Sequence, residues 1–109
     1  MFFITKIRAA LRLREAIRMA DKAHRETGNR HYVMPTIGSG GRKLFVVDRR
    51  NFRLLKQKSY LSRNARVFDL ERECFYYTPY RNGSHAMSPK LQAFKRAQYF
   101  SWLTSDKSH

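Results

Sequence analysis

The sequence predicts a single α+β domain in which a small, mainly antiparallel sheet is covered by helices, in the order α-β-β-α-β-α. Apolar residues recur with helical spacing near both ends of the chain, and short runs rich in β-branched and aromatic residues lie between them. A chain of 109 residues has room for one domain with an ordinary hydrophobic core. We expect this domain to span residues 1–104, with residues 105–109 forming a frayed C-terminal tail.

The first half of the chain predicts a helix over residues 4–27 followed by a hairpin. Gly28 supplies the helix stop. Two β-prone runs, residues 31–37 and 43–48, flank a glycine-rich tip. Proline donates no hydrogen bond, so Pro35 predicts that the first strand is an edge strand or is broken there. The buried stripe predicted for the helix consists of Ile7, Ala10, Leu13 or Arg14, Ile17, Ala20 and His24.

The second half predicts two further helices and one strand. Asp48 is a candidate N-cap for a helix over about 49–61. Residues 67–70 are ambiguous between a helical turn and a strand, whereas residues 74–78 are strongly β-prone and are expected to join the hairpin's sheet. Ser88, followed by proline at the first helical position, predicts a last helix that ends near Leu103. We expect its apolar side to pack on the sheet, with docking on a partner as the alternative.

The charge of the chain predicts a polyanionic partner. Lys and Arg number 23 against eight Asp and Glu, which gives a formal net charge of +15. Counter-charges on a partner would relieve the self-repulsion of such a body. Because 15 of the cations are arginine, whose planar fork grips phosphate and stacks on bases, the composition favours nucleic acid over other polyanions. It leaves DNA and RNA equally open.

The predicted binding site is the most basic part of the chain, residues 42–66, where nine Lys and Arg face a single acid, Asp48. We expect phosphate contacts to supply most of the affinity, with Arg49 and Arg53 reaching base edges only if the helix enters a major groove. A solvated helix face is the alternative interpretation of the same charges. The predicted contact residues, on the hairpin tip and the following helix, are Arg42, Lys43, Arg49, Arg50, Arg53, Lys56 and Lys58.

Aromatic residues near arginines offer a second route to nucleic acid. Residues 75–77 are all aromatic, and Tyr80 follows close by, between Arg72 and Arg81. Such a mixture is typical of surfaces that stack unpaired bases. The alternative is that alternate residues of this run, such as Phe75 and Tyr77, face the core, because side chains alternate along a strand.

Few residues suggest enzymatic or metal chemistry. His31, at a helix-to-strand junction beside Arg30, is the one candidate general base, and it would suit a small ribonuclease. The four histidines lack metal-ligand spacing and Cys74 has no companion, so we expect neither a metal nor another cofactor. Cys74, between a carboxylate and a phenylalanine, is expected to be an inert packed residue.

The sequence therefore predicts a non-enzymatic nucleic-acid-binding protein, with three alternatives. These are the ribonuclease, a protein that lies against ribosomal RNA, and a membrane-surface or partner-docking protein that uses Phe2, Phe3 and Ile4. No stretch is apolar and long enough to span a membrane. The single cysteine favours a reducing cytoplasm.

Overall fold

A computed structural model describes residues 2–35, 44–57 and 67–103 of the chain. The predicted order α-β-β-α-β-α is confirmed, and the ambiguous stretch after residue 66 begins an additional short helix. The predicted hairpin tip and the expected frayed tail at 105–109 lie outside the described residues. In chain order the elements are α1 (Phe2–Thr27), β1 (Tyr32–Pro35), β2 (Leu44–Val47), α2 (Arg49–Gln57), α3 (Val67–Glu73), β3 (Tyr76–Tyr77) and α4 (Pro89–Leu103).

The three strands form an antiparallel sheet in the order β2-β1-β3. Tyr32 of β1 pairs with Val47 on one side and with Tyr77 on the other. Because β1 is central, the first alternative for Pro35, an edge strand, is wrong. The second, a break in the strand at Pro35, stays a prediction, since β1 is described only as far as this residue. On the side of β1 that faces β3, the Val33 carbonyl accepts a hydrogen bond from the Phe75 N–H at 2.9 Å. Because alternate residues of a strand point their N–H and C=O groups to the same side, the Pro35 nitrogen also faces β3. The pairing of β1 with β3 extends only as far as Val33, so the proline removes no ladder hydrogen bond there.

The sheet separates two apolar clusters. Along β1, Val33 faces α1 and α4, where it packs with Phe75 and Tyr99, whereas Tyr32 and Met34 face the other side. That second cluster receives side chains from α2 and α3 and consists of Tyr32, Met34, Val47, Phe52, Leu70, Cys74, Tyr77 and Met87. The predicted cover of the sheet by the first and last helices is therefore confirmed on one face, with α2 and α3 contributing to the other.

The buried face of α1 differs from the predicted stripe. Ala9 and Ala16 are buried beside Leu13, whereas Ile7 is 45% exposed. The large rings of Phe75 and Tyr99 fill the space between α1 and the sheet, and the short alanine side chains leave room for them. Apolar spacing alone favoured the larger aliphatic residue, so the predicted placement of Ile7 in the core is wrong.

A buried lysine joins α4 to the end of α3. Lys95 is 4% exposed, and its ammonium donates to three backbone carbonyls, those of Glu71 at 3.0 Å, Arg72 at 3.2 Å and Cys74 at 2.8 Å. The last carbonyls of a helix have no intrahelical partner. One side chain of α4 therefore satisfies the C-terminal end of α3 and sets the position of α4 against it.

Replacing Lys95 by methionine keeps an unbranched side chain, one atom shorter, and removes the ammonium that donates to the three carbonyls. We expect Lys95→Met to lower the free energy of unfolding by about 2 kcal/mol, because buried carbonyls lose their charged partner. Urea unfolding measures the change, with the exposed Lys90→Met in the same helix as control. Equal stability of both variants and the unmodified chain would contradict this account of the contact.

Candidate functional site

The site is built around the junction between β2 and α2. The Asp48 carboxylate oxygen Oδ1 accepts from the backbone N–H of Arg50 at 2.9 Å and of Asn51 at 3.0 Å. In return, the Asn51 side-chain oxygen accepts from the Asp48 N–H at 2.8 Å. This reciprocal pair is a capping box. The predicted N-cap role of Asp48 is confirmed, and the box fixes the direction in which the first turn of α2 leaves the sheet.

His31 ties this junction to the end of α1. Its ring is 6% exposed, with Nε2 at 3.6 Å from the second carboxylate oxygen of Asp48 and Nδ1 at 2.8 Å from the Asn29 carbonyl. The same carbonyl lies 2.9 Å from Nδ1 of His24. Both ring nitrogens of His31 thus face protein groups. This geometry makes His31 a residue that holds Asp48 and the segment before β1 in place.

Arg30 is the buried cation of the site. Its guanidinium carbon lies 3.7 Å from the ring centroid of Tyr80 and 4.4 Å from that of Tyr77. Nη2 donates to the His85 carbonyl at 2.5 Å, and Nη1 lies 3.4 Å from the Glu71 carboxylate. Among the residues that the structure describes, the buried Nε has no hydrogen-bond acceptor. The guanidinium is therefore rigidly held but retains one unsatisfied donor.

Arg81 occupies space left by a glycine. Gly28 ends α1 with a φ of +79°, and its N–H donates to the His24 carbonyl at 2.7 Å, as predicted for a helix stop. A Cβ at this position would lie 3.1 Å from the guanidinium carbon of Arg81. Arg81 donates to the Thr27 carbonyl at 3.1 Å. Its charge thus lies against the negative end of the α1 dipole, which stabilises it there.

These elements enclose a pocket of about 380 Å³, which we call the arginine pocket. Four of its lining residues are arginines and none is acidic, and Arg49 and Arg50 contribute from the exposed first turn of α2. Burial raises the pKa of the Tyr32 hydroxyl, so this group is neutral at physiological pH and can donate. The lining residues are Thr27, Asn29, Arg30, Tyr32, Arg49, Arg50, Tyr80 and Arg81.

The structure brings together only part of the predicted binding surface. Arg49 and Arg50 line the pocket, whereas Arg53 and Lys56 belong to α2 without a description of their side chains. The remaining predicted residues, Arg42, Lys43 and Lys58, lie outside the described part of the chain. Sequence reasoning did not group Arg30 with the α2 arginines, because their position around one pocket depends on the fold.

The aromatic run after α3 faces mostly inward. Phe75 and Tyr77 are buried, as the alternation of strand side chains allowed. The Tyr76 hydroxyl donates to the Asp21 carboxylate at 2.7 Å, and burial together with this bond raises its pKa. Tyr80 is 38% exposed and lines the arginine pocket beside Arg81. Of the predicted stacking residues, this pair is the one placed to meet a ligand in the pocket.

Metal binding, membrane spanning and thiol reactivity find little support in residues 2–35, 44–57 and 67–103. No group of three or more His, Cys, Asp or Glu side chains there is arranged to hold a metal ion. Within the same residues, no helix has the length and apolar character needed to cross a membrane. Cys74 is fully buried, its thiol donates to the Glu71 carbonyl at 3.4 Å, and burial raises its pKa to about 11.

Comparison with protein-family models, with curated proteins and with solved structures yields no match to this chain. The function is therefore inferred from the geometry of the site.

Two substitutions at Asp48 separate its two roles. Asp48→Ala removes the cap and the partner of His31, so we expect it to lower the free energy of unfolding by about 1–2 kcal/mol. Asp48→Asn retains an oxygen for the cap and loses only the negative charge, so its loss should be smaller. Urea unfolding of both variants, with the exposed Glu26→Ala as control, tests this order. An equal loss in both variants would assign the stabilisation to the charge rather than to the cap.

Cys74 should resist alkylation in the folded protein. With a pKa of about 11, only about one thiol in a thousand is ionised at about pH 8, and the sulfur is also buried. Iodoacetamide followed by mass spectrometry should show slow labelling in buffer and rapid labelling in denaturing urea. Rapid labelling without urea would contradict the packed, inert role.

Proposed function

We propose that this protein binds nucleic acid without catalysing a reaction, and that phosphate groups are held at the arginine pocket. The observation that supports this most directly is the composition of the pocket, with four arginines and no acid among its lining residues. A concave surface of one charge sign concentrates ligands of the opposite sign. Arginine is also the side chain best suited to bidentate contact with phosphate oxygens.

The local electrostatics favour an anion at the mouth of the pocket. Arg49 and Arg50 occupy the first turn of α2 and are exposed, while the Arg50 and Asn51 N–H groups of that turn are already bound by Asp48. The nearest carboxylate on this element, Asp48, is 8% exposed and already engaged by backbone N–H groups and by His31. Glu71 approaches Arg30 from one side. These carboxylates therefore leave most of the positive charge of the exposed arginines uncompensated.

The overall charge of the chain supports the same proposal. With a net charge of +15, the protein gains from any partner that supplies many negative groups in a row. Nucleic-acid backbones do so, and the release of their counterions supplies affinity that falls steeply with salt. A protein lying against ribosomal RNA would use the same surface. DNA and RNA remain equal candidates as the partner.

The ribonuclease alternative receives less support from the geometry. A general base must reach a substrate hydroxyl, but His31 is buried and is not among the residues that line the pocket. Its ring nitrogens face Asp48 and the Asn29 carbonyl instead. Binding without catalysis therefore accounts better for this arrangement.

The proposal predicts that two arginines dominate the salt dependence of binding. Fluorescence anisotropy would follow labelled DNA and RNA, single- and double-stranded, over a salt series. We expect the double variant Arg49→Ala, Arg50→Ala to bind more weakly at every salt concentration. Its slope of log affinity against log salt should be lower by about two, since each phosphate contact contributes about one.

The matched control removes the same charge elsewhere. Arg8 and Arg14 are exposed on α1, and the helical rise places Arg14 about 20 Å from Thr27 at the pocket. The variant Arg8→Ala, Arg14→Ala should retain most of the salt slope. Equal losses in both double variants would mean that net charge, and not the pocket, determines binding. Absence of binding to every nucleic acid at moderate salt would overturn the proposal.

A further inference from the structure

We infer that the arginine pocket takes one unpaired nucleoside monophosphate unit, with the base against Tyr80 and the phosphate against Arg49 and Arg50. This inference rests on the proposed function and deepens it, because it names a single-stranded ligand. It is carried by the size of the pocket, by the way Tyr80 is held, and by the arginines that line the same pocket as its exposed ring.

The dimensions of the pocket suit one nucleotide. Its volume of about 380 Å³ lies near the lower end of the range for small-ligand sites, roughly 300–1,000 Å³. A base inside a duplex is covered on both faces by its neighbours and cannot enter such a cavity without leaving the stack. A strand end or an unpaired stretch presents the base without this cost. The concave shape therefore favours unpaired over paired nucleic acid.

Tyr80 has the properties of a stacking platform. The Arg30 guanidinium lies 3.7 Å from its ring centroid, and the His85 ring meets it edge-on with centroids 5.6 Å apart. Arg30 is in turn held by the His85 carbonyl and by Glu71. The ring is still 38% exposed. A ring that is fixed before binding loses little conformational entropy when a base stacks on it.

Cations for a phosphate attached to a stacked base line the same pocket as this ring. Arg49 and Arg50 are exposed, and Arg81 is anchored on the Thr27 carbonyl. Arg30 also lines the pocket and contributes its positive charge there. Base and phosphate would thus be recognised by different residues of one pocket.

Asn29 supplies the one side-chain amide among the lining residues. Its oxygen lies 3.5 Å from Arg81 Nη2, at the limit of a hydrogen bond, so the amide is held only loosely. A carboxamide offers both a donor and an acceptor, which is what the edge of a base requires. The pocket therefore contains a group that can meet the base edge as well as its face.

An unpaired nucleotide within a strand and a free nucleotide share this chemistry, and competition between them distinguishes the two. Anisotropy would compare a short labelled single strand with the same sequence as a blunt duplex. An abasic strand with the same number of phosphates would report on the base alone. Unlabelled adenosine monophosphate would compete against the single strand. The protein is the full chain in every arm.

We expect the single strand to bind about tenfold more tightly than both the blunt duplex and the abasic strand, as stacking of one base on an aromatic ring predicts. Tyr80→Ala should remove about the same factor for the single strand and leave duplex binding nearly unchanged. Tyr80→Phe keeps the ring and should bind like the unmodified chain. Phe94→Ala removes another exposed aromatic residue, on α4, and should change nothing.

The outcomes separate this inference from the proposed function. Equal binding of single strand, duplex and abasic strand would overturn the inference, and continued weakening by Arg49→Ala, Arg50→Ala would leave nucleic-acid binding intact. Adenosine monophosphate that binds as tightly as the strand would support the nucleotide pocket but overturn nucleic acid as its ligand. Absence of binding in every arm would overturn both. The abasic comparison uses the unmodified protein, so it holds even if Tyr80→Ala fails to fold.

Discussion

The Asp48 carboxylate is the interaction on which the site depends. It lies where β2 ends and α2 begins, it is almost fully buried, and a buried carboxylate is stable only when hydrogen bonds and a partner compensate its charge. One carboxylate oxygen caps α2 and the other faces His31. The result is that α2, the sheet and the end of α1 have one relative position. The arginine pocket exists because that position brings Arg49 and Arg50 beside Arg30.

Within the described residues, this basic chain buries two cations, and it compensates them mainly with backbone oxygens. Lys95 donates to three carbonyls at the end of α3, and Arg30 donates to the His85 carbonyl while approaching Glu71. Carbonyl dipoles replace water around a cation without adding a negative charge. Both cations also join segments that are distant in sequence. The buried charge therefore specifies how elements dock, while the exposed charge remains available at the surface.

The sequence predicted local features well because their causes lie within a few residues. The Asp48 cap, the Gly28 stop and the Ser88 cap, whose hydroxyl accepts from the Leu91 N–H at 3.1 Å, were all found. Charge counting also found Arg49 and Arg50. It could not find Arg30 and Arg81 as their neighbours, because those contacts form only after the sheet and the loop past β3 come together. The Ile7 error has a similar origin, since the rings that favour alanine on α1 come from Phe75, just before β3, and from α4.

Gly28 links the end of α1 to the arginine pocket because it has no Cβ atom. The missing Cβ allows the positive φ that ends the helix, and the same gap is filled by the Arg81 guanidinium. A side chain at this position would meet two separate penalties, one in the backbone and one against a cation of the pocket. A substitution at Gly28 would therefore disturb both the end of α1 and the position of Arg81 in the arginine pocket. The helix terminus and the lining of the pocket thus share one sterically constrained position.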